Sequence, residues 1–223
     1  MFDALFTTTT EYKKLSHALS GKGACALFGL PASGRAQVYA ALCRQLDKPL
    51  CIVTPGEAEA TRFAADLNTL GIPAAVFPAR DYVLRPIEGT AREYEYRRLA
   101  VLGELVGGRL RAVAVPAEAL TQFTTPKEDF CANTRTLHAG DTLLRDDLLA
   151  ALFGAGYTRR AQVDGPGQFS VRGDIVDIFA PDQKMPVRME FWGDEIDTLH
   201  TFDLTTQRRE DAIDKFYLSP ARE

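Results

Sequence analysis

Residues 168–203 read QFSVRGDIVDIFAPDQKMPVRMEFWGDEIDTLHTFD, and their two-residue rhythm predicts a β-meander with charges set into one face. Phe169 and Val171 alternate with Ser170 and Arg172, and Val187, Met189 and Phe191 alternate with Arg188, Glu190 and Trp192. Successive side chains of a strand point to opposite faces, so one set meets a core and the other meets solvent. Gly193-Asp194, between Phe191-Trp192 and Glu195-Ile196, predicts a tight two-residue hairpin. Continued without interruption, that hairpin sets Phe191 against Ile196, Met189 against Thr198 and Glu190 against Asp197. Like charges directly opposed are unfavourable. The polar face therefore serves a purpose, or a basic neighbour such as Arg172 or Arg188 offsets the cost.

Working outward, the N-terminal part alternates helical and apolar segments. A short amphipathic helix spans 10–20, with Leu15 and Leu19 at i, i+4. Apolar runs at 24–28, 48–53, 74–77 and 111–115 are separated by helical patterns at 36–46, 56–70 and 90–105. Strands apolar throughout and alternating with helices predict a parallel sheet covered on both sides. This α/β domain is expected to span 1–122. The pattern then changes to a strand-like 130–137, a helix at 142–153 and the meander, which predicts a second, smaller α+β domain over 123–205. One more strand-like run, FYLSPARE, closes the sequence.

With 223 residues, 46% hydrophobic and 25% charged, the composition is that of an ordinary globular chain able to bury a core. No apolar run approaches the roughly 20 residues that cross a bilayer, and the N-terminus has no basic region followed by an apolar one. Cys25, Cys43, Cys51 and Cys131 are scattered, without a C-x-x-C pair, so they are expected to be free thiols in a cytoplasmic protein. His17, His138 and His200 lack the spacing of a zinc site. A net charge of −4 argues against phosphate-driven DNA binding by this chain alone.

GLPASGRA, from Gly29 to Ala36, occupies the place of a phosphate-binding loop between the predicted strand 24–28 and the following helix. The working pattern is G-x-x-x-x-G-K-[ST], in which backbone amides hold phosphates, lysine reaches the terminal phosphate and the hydroxyl binds magnesium. Gly29 and Gly34 are present, but Arg35 replaces the lysine and Ala36 the hydroxyl residue. Alanine offers magnesium no oxygen, and without the metal phosphoryl transfer loses much of its charge stabilisation. The loop holds an anion weakly or makes only a strand-to-helix turn. The second reading is preferred.

Four segments carry a resemblance to a known family: GYTR (156–159), QFSVRGDIVDIFAP (168–181), VRMEFWGDEIDTLHTFD (187–203) and SPARE (219–223). They resemble the N-terminal module of the bacterial transcription-repair coupling factor (Mfd), itself similar to the excision repair protein UvrB. The likeness extends more loosely through FPARDY (77–82) and VAVPAEAL (113–120) and covers nearly the whole chain. It implies a degenerate, helicase-like phosphate-loop domain followed by a UvrA-binding domain, with 206–223 beginning a return into the first domain. A UvrB-type phosphate loop would be intact, and a UvrB-type aromatic hairpin would need more than the dozen residues between Phe77 and Thr90.

The resemblance implies a non-catalytic adaptor without a cofactor of its own. ATP, magnesium, RNA polymerase and double-stranded DNA would be handled by other parts of a longer translocase, whose C-terminal domains could mask the UvrA-binding face. Carried over residue by residue, the partner contacts are Arg159, Arg172, Glu190 and Phe191, with Arg188 on the same polar face. UvrB has a further arginine where this chain has Ser170, so either Arg160 compensates or the face binds less tightly. Each residue also has a plainer reading. Arg172 pairs with Asp174 or Glu190, Phe191 packs in the core, and Trp192 anchors a partner or lies under the loop 181–186. The helix TAREYEYRR (90–98) presents a solvated face, with a basic DNA contact as its sharper reading. The competing functional class is a nucleotide-binding or DNA-binding domain of a UvrB-like repair helicase.

Overall fold

The computed structural model describes residues 7–21, 24–46, 49–80 and 92–223. The chain divides into two units, residues 1–79 with 107–122, and residues 80–106 with 123–223. Mixed α/β structure with several sheets runs through both.

The first unit holds a three-stranded parallel sheet, β1 (Leu50–Thr54), β2 (Ala74–Val76) and β3 (Ala112–Pro116), in the order β1-β3-β2. Its helices are α1 (Thr10–Ser20), α2 (Ala32–Gln45) and α3 (Glu57–Thr69), followed after β3 by the single turn α5 (Ala117–Leu120). The core between α2, α3 and the sheet is built from Ala40, Cys43, Ile52, Phe63, Leu67 and Ala114. Its many alanines let helix and sheet approach closely. The expected strand at 24–28 does not form, and those residues are exposed without regular structure.

The second unit opens with α4 (Glu93–Val106); Thr90 and Ala91 of its expected span lie outside the described residues. After Phe123 come α6 (Lys127–Ala132) and β4 (Arg135–His138), where sequence alone predicted one strand over 130–137. The helix wins because Pro126 pre-sets its start and Glu128 and Asp129 complement the dipole of its first turn. Phe130 is fully buried from that helix. Next is α7 (Arg145–Gly154), followed by β5 (Thr158–Arg159), β6 (Gln168–Arg172), β7 (Ile175–Phe179), β8 (Val187–Trp192), β9 (Glu195–Phe202), β10 (Arg209–Ala212) and β11 (Lys215–Leu218). Strands β5 to β10 form one six-stranded sheet in sequential order, antiparallel except for β5-β6, and β11 pairs with β4 in a separate ribbon.

Phe169, Val176, Ile178, Val187, Met189 and Phe191 pack from one sheet face against Leu148 and Leu152 of α7 and Leu137, Phe216 and Leu218 of the ribbon. The closing segment lies within the second unit. Beyond β11, the Ala221 amide donates to the Ala155 carbonyl (2.8 Å), and Glu223 reaches Arg98 of α4.

The hairpin β8-β9 turns at Gly193 (φ +63°) as predicted, but its register differs. Phe191 faces Ile196, whereas Met189 faces Leu199 and Glu190 faces Thr198, because a bulge accommodates Asp197. Ile196 and Leu199 lie three apart, so an unbroken strand would send them to opposite faces. The bulge puts both in the core and removes the clash between Glu190 and Asp197. Deletion of Asp197 is therefore expected to cost less than about 2 kcal/mol. Deletion of His200, which flips Phe202, should cost clearly more. Thermal melts of the two deletion variants compare them directly.

Candidate protein-interaction face

Pairing across the six-stranded sheet sets its polar side chains in rows. One row runs Ser170, Asp177, Arg188, His200, and the next runs Arg172, Ile175, Glu190, Thr198. At the centre, buried Asp177 accepts from Arg188 twice, Nε to Oδ1 at 2.7 Å and Nη2 to Oδ2 at 2.9 Å. Arg172 Nη2 donates to the same Oδ2 at 2.9 Å. Arg188 also donates to the Gln207 carbonyl at 3.2 Å and lies 4.7 Å from the centre of the Phe202 ring. The Asp177 hydrogen bonds, opposed by burial, hold the Arg188 guanidinium above its ordinary value.

The partner of Arg172 is therefore Asp177, and neither Asp174 nor Glu190. Asp174 instead pairs with Arg145 at 3.2 Å, and Glu190 takes an ion pair from Arg209 and a hydrogen bond from Thr198. Sequence reasoning passed over Asp177 and Arg209. The available signal for Asp177 was a lone acid inside the apolar strand IVDIF.

Exposure separates the other candidates. Arg188 and Phe191 are buried, so they shape the face from beneath. Half of the Arg172 side chain is exposed, and Trp192, beside the hairpin tip, is 82% exposed rather than lying under the loop 181–186. Arg159 pairs with Phe169, which faces the core, so the register puts Arg160 and not Arg159 on the side of Ser170 and Arg172. Ser170 is buried, and its hydroxyl has no partner.

A cleft of about 730 Å³ adjoins this side of the sheet, between α4 and the β5-β6 end. Tyr96 lines it and abuts Gly167, where an added Cβ would lie 2.5 Å from the phenol oxygen at a φ of +72°. Burial, with Glu95 adding to it and Arg92 opposing it, pushes the Tyr96 phenol up. Gly167→Ala should destabilise the second unit by about 1–3 kcal/mol through left-handed strain and displacement of Tyr96, read as a lower urea midpoint. Helix α4 is also not a wholly solvated face, since Arg98 is fully buried.

The phosphate-loop lookalike has a different geometry from the one expected. Gly29 is left-handed (φ +82°), but α2 begins at Ala32, so Gly34, Arg35 and Ala36 are already helical. The Arg35 amide donates to the Pro31 carbonyl at 3.0 Å. Its guanidinium lies 3.8 Å from Glu59 and over the Phe63 ring, and Ala36 is buried in the core. A phosphate cradle needs amides that converge on open space. Among the described residues no group of His, Cys, Asp and Glu could hold a metal ion, and no helix is long and apolar enough to cross a membrane.

Residues 136–223, which run from β4 through the whole six-stranded sheet to beyond β11, match the family model described as the UvrB interaction domain. That stretch is similar to the UvrB interaction domain family. Over a longer span it is similar to transcription-repair-coupling factors. It is 38% identical over 192 residues to that of Mycobacterium bovis, covering 82% of this chain and 15% of the relative. Against the Myxococcus xanthus protein the values are 34% over 206 residues, 87% and 17%. Against the Bacillus subtilis protein they are 29% over 199 residues, 88% and 17%. The chain thus spans about one sixth of the length of these relatives. The matched span 136–223 contains every residue of the polar face described above.

Proposed function

We propose that this chain is a non-catalytic docking module that binds UvrA through the polar face of the second unit and so links excision repair to a transcription-repair-coupling translocase. The observation that carries this reading is the Arg172 guanidinium, held from below by buried Asp177 and half open to solvent, within the span similar to the UvrB interaction domain family. Beside it lie the Glu190–Arg209 pair and exposed Trp192. Arginine and tryptophan on a rigid support are the residue types that dominate protein interfaces. Glu190 offers the partner a carboxylate, while Arg188 and Phe191 fix the strand that presents it. Arg159, on the edge strand, contacts the partner only at the rim.

In this reading ATP, magnesium, RNA polymerase and double-stranded DNA belong to other parts of a longer cytoplasmic protein, whose C-terminal domains are able to cover the face. The segment Gly29–Ala36 is a relic that turns the chain into α2, supported by the helical commitment of the Arg35 amide and by Ala36 in the core. Calorimetry with ATP and magnesium is expected to give no heat of binding.

Co-purification with UvrA tests the main proposal. Arg172→Ala and Trp192→Ala should each weaken retention about tenfold or more, while Arg35→Ala leaves it unchanged. Full retention by both face variants sinks the assignment.

A further inference from the structure

Hairpin β6-β7 closes one residue pair earlier than its neighbour β8-β9. The last pair of the first is Arg172 with Ile175, and Ile175 stands opposite Glu190 of β8. Trp192, two residues past Glu190 and paired with Glu195, therefore projects from the same face beyond the end of β7. The turn Gly173-Asp174 lies beside it, since the Phe191 amide donates to the Asp174 carbonyl at 2.9 Å. Gly173 contributes no side chain, and a Cβ built on it would have nothing within 4 Å. Trp192 is thus open on its β7 side. Ile175 is its diagonal neighbour across the strands, a spacing that an aromatic side chain spans. Partly exposed, Ile175 belongs neither to the main core nor to the smaller cluster of Val163, Phe179, Phe202 and Leu204. Ile175 and Trp192 together make a shallow apolar seat on an otherwise polar face.

The seat has unlike ends. On the β6 side, Arg172 and Arg188 share one carboxylate, Asp177, so that cluster carries a net positive charge. Arg172 uses one of its five N–H donors there and stays half exposed. On the β9 side stands exposed Glu195, which has no ion pair among the described residues, next to Asp194 in the turn. The charges between the two ends cancel, Glu190 with Arg209 and Asp174 with Arg145. Three strand spacings, about 14 Å, separate β6 from β9.

We propose that this seat receives one large apolar side chain of the protein partner, carried on an extended segment with a carboxylate two residues to one side and a cation two residues to the other. The inference rests on the docking reading above and specifies what the face takes. Alternate residues of an extended segment share a face, so its outer charges, four residues apart, span about 13 Å and match the width of the seat. An apolar anchor enclosed by a charged rim is the usual plan of an energetic centre. Glu195 and Asp194 repel a uniform polyanion, and a wholly apolar segment leaves Arg172 and Glu195 unanswered.

The chain has a single tryptophan, so selective excitation reads the seat directly. The probe is a blocked pentapeptide, aspartate-glycine-phenylalanine-glycine-lysine, titrated into the full chain at low salt. A saturable blue shift of Trp192 emission in the millimolar range is expected. Glycine in place of the probe's phenylalanine should abolish it, and Ile175→Ser should weaken it about tenfold. Glu195→Lys, at an exposed position, should reverse the charge preference, so that a probe with aspartate at both ends binds better than the original. Absence of a saturable shift, or a shift indifferent to both substitutions, overturns the proposal. Co-purification with UvrA separates this from the docking reading. If Arg172→Ala loses UvrA while Ile175→Ser and Glu195→Lys change neither readout, the seat fails and the face stands. If probe binding depends on Ile175 but the unmodified chain retains no UvrA, the docking reading fails and the ligand class of the seat stands.

Discussion

Replacing Arg98 with alanine is expected to lower the stability of the second unit by about 3–5 kcal/mol, read from urea denaturation. The side chains of Arg98 and Glu223 are both fully buried, with Nε to Oε2 at 2.6 Å and Nη2 to Oε1 at 2.9 Å. Removing the guanidinium strands a carboxylate in low dielectric, with partly exposed Arg80 (3.0 Å) and Thr124 left to hold it. Glu223→Gln should cost less, because the glutamine amide oxygen still accepts a hydrogen bond from the buried Arg98 guanidinium, which alanine at 98 removes altogether. The pair also has a pH signature. Burial alone would raise the Glu223 carboxyl, but hydrogen bonds from Arg98, Thr124 and Arg80 hold it below its ordinary value. A depressed carboxyl contributes stability that is complete above the unfolded value of about 4.5 and is lost as pH falls through the folded value. Glu223→Gln should flatten that acid limb of the stability profile.

Asp177→Ala should cost a similar amount, about 3–5 kcal/mol, and abolish UvrA retention as well. Its carboxylate is 1% exposed and anchors Arg188, itself 10% exposed, so the substitution leaves a buried cation without its main acceptor. Arg172→Ala, on a half-exposed side chain, should cost under about 1 kcal/mol while still losing the partner. The contrast distinguishes support from contact. A double replacement, Asp177→Leu with Arg188→Leu, is expected to recover most of the stability, since apolar residues of similar volume often match a buried ion pair. It should not recover binding, because Arg172 then has no fixed seat. Chemical melts and co-purification on the same three proteins check both halves.

The meander was legible because inward residues alternate without exception on β6, β7 and β8, and Gly193-Asp194 marks the turn. Its register on β9 was not, since a bulge is decided by which of two competing apolar sets reaches the core. The parallel arrangement of β1, β2 and β3 was likewise visible as apolar runs. The run 24–28 misled because apolar composition alone does not guarantee pairing, and Phe28 ends up 88% exposed. Arg172 and Glu190 stood out as charges on the strand faces, but their partners, Asp177 and Arg209, lie on other strands. The buried Arg98 looked like one more charge on a polar helix, because its partner is 125 residues away.

The antiparallel ribbon of β4 and β11 places the two ends of the span 135–218 on neighbouring strands, about 4.8 Å apart. A domain whose two ends leave side by side can be spliced into any host loop without stretching it.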